Sequence, residues 1–250
     1  PSLAQKFNLI FADSPYNIGI DYGNGKKADL LSLAQFESWC RTWLKSCVEK
    51  LADNGSMWVL INDEHVSFFE LYLRGWHNLT RRNWIILYES FGVQATKKFA
   101  RTKRHLLYFV KDEKNFIFNA DEARVPSARL TKYGDDRANP KGKVDDDVWS
   151  MVRLCGTFKE RIPGFPTQLP LDLLRRIIKV ASNEGDWVCD PFSGSGTTSV
   201  ACKELNCGNV AQWEAAIRFS GILLNLRFQS ETFCSTEFRL SLYTSRRKAI

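Results

Sequence analysis

The sequence predicts an α/β protein built on a doubly wound, mostly parallel sheet. Short apolar, β-prone runs at residues 7–11, 56–61 and 187–189 each lead into polar residues, as parallel strands do at their carboxyl ends. Residues 30–51 and 171–181 space their apolar side chains at helical intervals. Strands and helices therefore alternate along the chain, and ligands of such folds bind beyond the carboxyl ends of the strands.

The individual elements follow from the same patterns. The run at residues 56–61 is nearly all apolar, which is typical of a strand buried on both faces. Asp53-Asn54-Gly55 before it is predicted to be a turn. Asn62 and Asp63 after it are predicted to cap a helix at 64–73, the alternative being that they line the ligand pocket. The remaining predicted strands are 84–88, 105–110, 210–214 and 238–243, and the remaining predicted helices are 197–205 and 215–228.

Length and composition bound the class of protein. A chain of 250 residues allows one large domain or two small ones. The net charge of +7 favours a polyanionic partner, the alternative being a protein that is merely basic. No apolar run reaches the roughly 18 residues of a membrane span and no signal peptide is visible, so we expect an intracellular protein that does not enter a membrane. The seven cysteines form no Cys-x-x-Cys pair, which favours reduced, buried thiols.

The stretch 190–198 (DPFSGSGTT) has the pattern of a ligand-binding loop between a strand and a helix. Gly194 and Gly196 allow backbone N–H groups to approach a ligand closely, and the helix that follows favours negative charge at its N-terminus. Asp190 ends the strand and suits a hydroxyl or ammonium group. Glu214 ends the next predicted strand and suits ribose hydroxyls. The alternative is an ordinary Gly-rich turn.

A second polar stretch, Asp13-Ser14-Pro15-Tyr16, follows the first predicted strand. Pro15 fixes its own φ and biases Ser14 towards an extended conformation. Tyr16 offers a flat aromatic face and Asp13 a hydrogen-bond acceptor. Turns with these residue types are common, so this stretch by itself predicts no activity.

Taken together, the stretches 8–19, 166–170 (PTQLP) and 190–198 resemble the S-adenosylmethionine-dependent DNA amino-methyltransferases. The first resembles motif IV of that family and the last resembles motif I, and the catalytic motif comes first, as in the β group. The resemblance covers nearly the whole chain. It implies a Rossmann-like methyltransferase fold, with a seven-stranded sheet that contains one antiparallel late strand. It also implies S-adenosylmethionine as the cofactor, double-stranded DNA as the partner, and no metal.

The resemblance also assigns roles to residues. Asp13 and the Ser14 carbonyl would accept hydrogen bonds from the target amine, and Tyr16 would stack on a base flipped out of the duplex. The implied catalytic set is Asp13, Ser14, Pro15 and Tyr16. The implied cofactor-binding set is Thr167, Gln168, Asp190, Phe192, Ser193, Gly194, Ser195, Gly196, Thr197 and Glu214.

Two departures from the family pattern leave alternatives open. The family usually has two prolines in motif IV, and Ser14 replaces the first; it often has Lys where Leu169 stands. The acid at Asp13 favours adenine N6 as the target, while Ser14 keeps cytosine N4 as an alternative. A catalytically silent, nucleic-acid-binding subunit is a second alternative, and RNA as the substrate is a third. A nicotinamide-dependent enzyme is disfavoured because the third glycine of that fingerprint is missing.

Basic residues predict where DNA would bind. Phe99 lies within a cluster of basic residues, a pattern that suits a phosphate backbone; the alternative is a solvated charged surface. The cluster consists of Lys97, Lys98, Arg101, Lys103 and Arg104, and the first four are predicted to bind DNA. Arg129 and Lys132 belong to an irregular stretch and complete the predicted DNA-binding set.

The chain is predicted to form one methyltransferase domain in three segments. Residues 1–111 form the catalytic half, and residues 166–250 form the cofactor half. Residues 112–165 are a basic insertion for target recognition. Residues 19–27 are predicted to be a mobile loop over the active site, the alternative being an idle surface loop. A homodimer and a restriction or targeting partner are further expectations by analogy with the family.

Overall fold

The computed structural model describes residues 5–21, 25–89, 95–154, 156 and 158–211. A short 3-10 helix spans Lys26–Asp29. The strands are β1 (Phe7–Asp13), β2 (Leu51–Ile61), β3 (Thr80–Glu89), β4 (Lys103–Val110), β5 (Arg124–Val125), β6 (Lys143–Val144), β7 (Val148–Met151), β8 (Trp187–Asp190) and β9 (Gly208–Ala211). The helices are α1 (Leu33–Lys50), α2 (Val66–His77), α3 (Ala128–Thr131), α4 (Leu171–Ala181) and α5 (Thr197–Glu204).

Seven of the described strands form one sheet in the order β7-β3-β4-β2-β1-β8-β9. Strand β1 is parallel to β2 and β8, and β8 is parallel to β9. Strand β4 is antiparallel to both of its neighbours, β2 and β3. The predicted fold, a mostly parallel seven-stranded sheet with one antiparallel late strand, is therefore confirmed.

The two predicted motifs meet at the centre of this sheet. Leu9 pairs with Val188 and Ile10 with Cys189, although about 180 residues separate β1 from β8 along the chain. Strand order reverses here, because β2 lies on one side of β1 and β8 and β9 lie on the other. A crevice at such a switch point is where doubly wound sheets bind their ligands.

Helices cover both faces of the sheet, which explains why the central strands are apolar throughout. Successive residues of β1 point to opposite faces: Ile10 and Ala12 pack in one core cluster with α1 and α2, whereas Leu9 and Phe11 pack in the other with α4 and α5. Helix α4 has the bounds expected from its apolar spacing. Ser32 begins α1 with a capping box that includes Gln35.

The predicted turn at Asp53-Asn54-Gly55 is wrong, because these residues lie inside β2. Pairing with β1 shifts here, from Phe7 opposite Leu51 to Leu9 opposite Ser56, so the extra residues form a bulge. A Cβ on Gly55 would lie 2.9 Å from the carbonyl oxygen of Phe7. The close approach of β1 and β2 therefore explains why a glycine is needed at position 55, where the sequence pattern had indicated a turn.

The segment at residues 112–165 contains short elements. Strand β7 joins the edge of the main sheet beside β3, while β5 and β6 form a separate two-stranded ribbon. The helix predicted at 215–228 and the strand predicted at 238–243 lie outside the described residues.

Among the described helices, none has both the length and the apolar character needed to cross a bilayer.

Candidate active site

The carboxyl end of β1 carries the first half of the candidate site. Asp13 is the last residue of β1, and the Tyr16 hydroxyl donates a hydrogen bond of 2.9 Å to its Oδ1. Ser14 is 2% exposed, and its Oγ has no hydrogen-bond partner among the described residues. The structure therefore brings Asp13, Ser14 and Tyr16 together in one turn around Pro15.

A buried carboxylate, Asp29, holds the backbone that follows this turn. Its oxygens accept hydrogen bonds from the backbone N–H groups of Asn17 (3.0 Å), Ile18 (3.2 Å) and Ile20 (2.9 Å). Asn17 also exchanges two side-chain hydrogen bonds with the backbone of Leu31. Sequence reasoning missed Asp29 and predicted a mobile loop at 19–27; residues 22–24 lie outside the described residues, and the described flank at 17–20 is tied to Asp29.

The Gly-rich loop between β8 and α5 forms the second half of the site. Asp190 ends β8, where its Oδ1 accepts from the N–H of Phe192 (3.0 Å) and its Oδ2 from the Thr198 hydroxyl (2.5 Å). Gly194 (φ 47°) and Gly196 (φ 76°) adopt left-handed backbone conformations that disfavour any residue with a Cβ. Gly196 is the N-cap of α5, so the positive end of this helix faces the loop.

Around these anchors the loop is held by its own polar groups and by aromatic packing. The N–H of Gly196 donates to the Ser193 carbonyl at 2.7 Å, and the hydroxyls of Ser195 and Thr197 lie 2.9 Å apart. The Phe192 ring packs edge-on against Trp43 of α1, with ring centroids 5.0 Å apart. The predicted residues of this loop therefore form one connected structure.

Burial raises the pKa of both strand-end acids, Asp13 and Asp190. Burial raises the pKa of Asp13 to about 6, against the opposing influence of Arg104 and the Tyr16 hydrogen bond. Burial likewise raises the pKa of Asp190 to about 7, against the hydrogen bonds from Thr198 and from the Phe192 backbone. Perturbed acids of this kind on neighbouring strands are typical of functional sites.

Arg104 and Glu89 belong to this site, although sequence reasoning did not place them there. They form a partly buried ion pair across β4 and β3. Burial lowers the pKa of Arg104, but the neighbouring Tyr16, Asp13 and Glu89 outweigh it and raise the pKa overall. Arg104 lies two residues before the buried Leu106 in β4. The period of two along a strand was the signal that places its side chain on a buried face of the sheet.

The segment at residues 166–170 leads into α4. Thr167 is exposed, while Gln168 is buried and engaged with the preceding loop: its Oε1 accepts from the N–H of Ile162 (2.7 Å) and its Nε2 donates to the Glu160 carbonyl (2.8 Å). Leu169, at the position where the family often has Lys, is buried in the core cluster with α4. The predicted cofactor contacts of Thr167 and Gln168 stay predictions, and Glu214 lies outside the described residues.

The predicted DNA-binding residues differ in whether they form ion pairs with other described residues. Lys97 and Lys98 lie on the connection between β3 and β4, and no ion pair joins either to a described residue. Phe99 beside them is 99% exposed. Arg101 pairs with Glu64 at 2.5 Å.

The other members of the set lie at β4 and in the insertion. Lys103 begins β4 and is exposed. Arg129 pairs with Asp135 at 2.5 Å, and Lys132 is exposed at the end of α3. Among the described residues, no hydrogen bond, ion pair or ring contact joins Arg129 or Lys132 to the β3–β4 connection. A role of these six residues in DNA binding stays a prediction.

The described part of the chain contains no group of three or more His, Cys, Asp or Glu side chains placed to hold a metal ion. Its five described cysteines are free thiols, and Cys40, Cys47, Cys189 and Cys202 among them are buried.

Comparison with known proteins gives matches over most of the chain. Residues 7–222 match the family model N6_N4_Mtase, which is described as DNA methylase. The chain is 34% identical over 202 residues to the Type II methyltransferase M.HpaI of Haemophilus parainfluenzae, covering 81% of this chain and 62% of that protein. It is 37% identical over 205 residues to the DNA adenine methyltransferase YhdJ of Escherichia coli strain K12, covering 78% of this chain and 67% of that protein.

Solved structures share the fold. The cytosine-N4-specific PvuII DNA methyltransferase matches with a TM-score of 0.62 at 12% identity, covering 83% of this chain and 74% of that one. The M1.HpyAVI–SAM complex matches with a TM-score of 0.53 at 21% identity, covering 83% of this chain and 82% of that one. The chain thus spans about three fifths to two thirds of the length of the first two relatives, and most of each of these solved chains.

Proposed function

Because the chain belongs to the N6_N4_Mtase family of DNA methylases, we propose that it transfers a methyl group from S-adenosylmethionine to the exocyclic amine of a base in DNA. The observation that carries this proposal is the pairing of β1 with β8. That pairing sets the turn of Asp13 and Tyr16 beside the glycine loop that begins at Asp190. One motif can then hold the methyl acceptor while the other holds the donor, within one crevice.

The glycine loop fits the methionine half of such a cofactor. The left-handed Gly194 and Gly196 leave backbone close to the crevice without a Cβ, and nothing lies within 4 Å of the Cβ that Gly196 lacks. Asp190 offers a carboxylate to an ammonium or hydroxyl group, and the N-terminus of α5 favours a carboxylate. Ser193, Ser195, Thr197 and Phe192 shape the loop through the contacts described above.

The turn after β1 fits an exocyclic amine. When bound, S-adenosylmethionine supplies an electrophilic methyl group on its sulfonium. The lone pair of a base amine is delocalised into the ring, so the protein must localise it. Asp13 and the Ser14 carbonyl accept the two N–H hydrogen bonds of that amine, and the negative charge of Asp13 offsets the positive charge that develops on nitrogen.

Stacking on Tyr16 offsets part of the free-energy cost of flipping the base out of the duplex. A base amine is shielded inside the duplex, so the nucleotide has to be flipped out at a cost of about a few kcal/mol. Stacking on an aromatic ring returns about 1–3 kcal/mol per base. Tyr16 is partly buried against the core, which restrains its ring before the base arrives.

Adenine N6 is the target we favour. The relative YhdJ, 37% identical, is a DNA adenine methyltransferase. Asp13 in the turn agrees with the adenine reading. Cytosine N4 is the second candidate, because Ser14 stands where the family usually has its first proline.

Catalytic silence is the other candidate, in which the protein binds nucleic acid for an active partner. Its support is the altered motif IV together with Leu169, whose apolar side chain is buried where the family often has Lys. Against it stand the connected structures of both loops, which keep the acids and glycines that transfer needs.

Double-stranded DNA is the proposed partner, contacted by Lys97, Lys98, Arg101 and Lys103 beside the site and by Arg129 and Lys132 in the insertion. We keep residues 112–165 as the proposed target-recognition region between the catalytic segment 1–111 and the cofactor segment 166–250. The proposed activity places the protein inside the cell. A homodimer and a restriction or targeting partner belong to the proposal by analogy alone.

The test is incubation with DNA and methyl-labelled S-adenosylmethionine, followed by mass spectrometry of the nucleosides. Labelled N6-methyladenine is the expected product. N4-methylcytosine would keep the reaction and move the target to the second candidate. Cofactor binding without any labelled base, on DNA or on RNA, would support the silent subunit and overturn the proposed activity.

A further inference from the structure

We propose that Arg104, anchored by Glu89, is a positioning residue for methyl transfer. Its guanidinium keeps Asp13 ionised and hydrogen-bonded to Tyr16, which is the arrangement that accepts the target amine. This inference rests on the proposed roles of Asp13 and Tyr16. It concerns two residues that lie on other strands and far from both motifs in sequence.

The sheet places Arg104 on the same face as Asp13. Along β4, Leu106 and Tyr108 alternate with Arg104 and pack in the same core cluster as Leu9 and Phe11 of β1, which alternate with Asp13. Strand β2 lies between β1 and β4 and pairs with both. The carboxyl end of β1 and the start of β4 therefore lie at the same edge of the sheet, with Asp13 and Arg104 on the same face and β2 between them.

Glu89 fixes the other side of the guanidinium. Glu89 is the last residue of β3, and its N–H donates to the Thr102 carbonyl at 2.7 Å, which locks the end of β3 against the approach to β4. Its Oε1 accepts a short hydrogen bond from Nη2 of Arg104. The Arg104 and Glu89 side chains are only 19% and 14% exposed, so solvent screens this pair little.

Three groups of alternating charge therefore cross the sheet, in the order Asp13, Arg104, Glu89. Tyr16 donates to Asp13, and Arg104 acts electrostatically on both of these residues. Asp13 thus faces Tyr16 from its own turn, Arg104 from β4, Glu89 from β3 and Asp190 from β8. Arg104 is the cation among them, and it is the group that opposes protonation of the buried acid most strongly.

An ordinary structural ion pair would not need this arrangement. The Arg104 Nε is buried and has no hydrogen-bond partner among the described residues. Arg104 therefore binds Glu89 through its terminal Nη2 and not through the two-nitrogen contact that a guanidinium can make with a carboxylate. Burying a guanidinium in this way is costly unless nearby negative charge repays it. Asp13 and Tyr16 supply that charge and hydrogen bonding, which ties the ion pair to the site.

The experiment compares pH profiles of single-turnover methyl transfer for the wild type, Arg104→Met, Arg104→Lys and Glu89→Gln, with Arg175→Met as the control. Arg175 also forms ion pairs, with Asp172 and Glu204, but it lies between α4 and α5. In the pH–rate profile, the acid limb is the part where the rate falls as Asp13 becomes protonated. Loss of the Arg104 charge should move this acid limb up by about one pH unit, so that the rate at a given pH on the limb falls about tenfold. Arg104→Lys should keep the limb near its wild-type position and lower the plateau.

Glu89→Gln should shift the acid limb in the opposite direction to Arg104→Met. Glu89 raises the pKa of Asp13, so removing its charge should move the acid limb down while the looser Arg104 lowers the plateau. A merely structural pair would lower stability in both variants and leave the limb in place. A ¹³C titration of the Asp13 carboxyl in the cofactor-free protein reads the same shifts without turnover.

The outcomes separate this inference from the proposed function. A limb and a carboxyl titration that both stay at their wild-type positions in Arg104→Met would overturn the inference while wild-type activity upholds the function. If Arg104→Met does not fold, an unshifted limb in Glu89→Gln together with wild-type behaviour of Arg104→Lys overturns it. A wild type that leaves no methyl mark would instead overturn the proposed function.

Discussion

The Tyr16 hydroxyl donates a hydrogen bond to the Asp13 carboxylate at 2.9 Å, so the proposed stacking residue and the proposed acceptor are one unit. Burial and the neighbouring Asp13 charge hold the pKa of Tyr16 well above its usual 10, which keeps the hydroxyl a donor. A substitution at one of these residues therefore also changes the environment of the other.

Replacing Asp13 by Ala should stop methyl transfer while cofactor affinity stays nearly unchanged. The substitution removes the acceptor for the target amine, and loss of a group of this kind costs about 100- to 1000-fold in rate. Single-turnover rates with DNA and calorimetric titration with S-adenosylmethionine give the two quantities. Full turnover in this variant would exclude Asp13 from catalysis.

Tyr16→Phe and Tyr16→Ala should differ in kind. The Phe variant keeps the ring but loses the hydrogen bond that lowers the pKa of Asp13, so its acid limb should move up from about pH 6. The Ala variant also loses stacking and should weaken productive DNA binding by about 1–3 kcal/mol. Fluorescence of 2-aminopurine at the target position measures flipping, and equal flipping in both variants would contradict a stacking role.

Asp190→Asn should stabilise the cofactor-free protein above neutral pH. The pKa of Asp190 is raised by burial from 3.8 to about 7, so the folded state binds its proton more tightly than the unfolded state. Its contribution to stability is therefore complete below about pH 4 and is lost as the pH rises through 7. The variant should gain about 2–4 kcal/mol over the wild type at pH 8 relative to pH 4. Urea unfolding across this range tests it, and a difference that does not vary with pH would contradict it.

Asp29→Ala should destabilise the protein and loosen the segment after Tyr16. Asp29 is 2% exposed, and three backbone N–H groups would lose their acceptor. Charge-assisted hydrogen bonds of this type predict a loss of about 2–4 kcal/mol in the free energy of unfolding. Asp21→Ala is the matched control, because this exposed acid of the same loop accepts from the N–H of Gly25. Equal losses in the two variants would remove the special role of Asp29.

Lys97→Ala and Lys98→Ala should each weaken DNA binding, and for each variant the loss of affinity should be about the same whatever the DNA sequence. Removing one phosphate contact should lower the slope of log affinity against log salt by about one. Lys45→Ala removes the same charge from α1, where no DNA contact is proposed, and should leave the slope in place. Identical slopes for all three variants would show that only net charge matters.

Much of the fold was predictable from the sequence because the signals are local. The apolar spacing at 171–181 sets the bounds of α4, and the runs before Asp13 and Asp190 mark the ends of two parallel strands. The error at Gly55 has the same origin, since a glycine that serves a turn and one that serves a close approach look alike in sequence.

The sequence by itself determined the two motifs, the kind of sheet that carries them and the chemistry their residue types permit. The tertiary structure alone decided which other residues serve them. Arg104 belongs to the basic cluster around Phe99 in the sequence, yet strand register and side-chain alternation place it on the same face as Asp13, beside Glu89. Asp29 and Gln168 likewise acquire their roles from backbone groups that only the folded chain brings within hydrogen-bonding distance. The physical reason is that residue type and spacing are local properties, whereas contacts across a sheet depend on strands that meet only after folding.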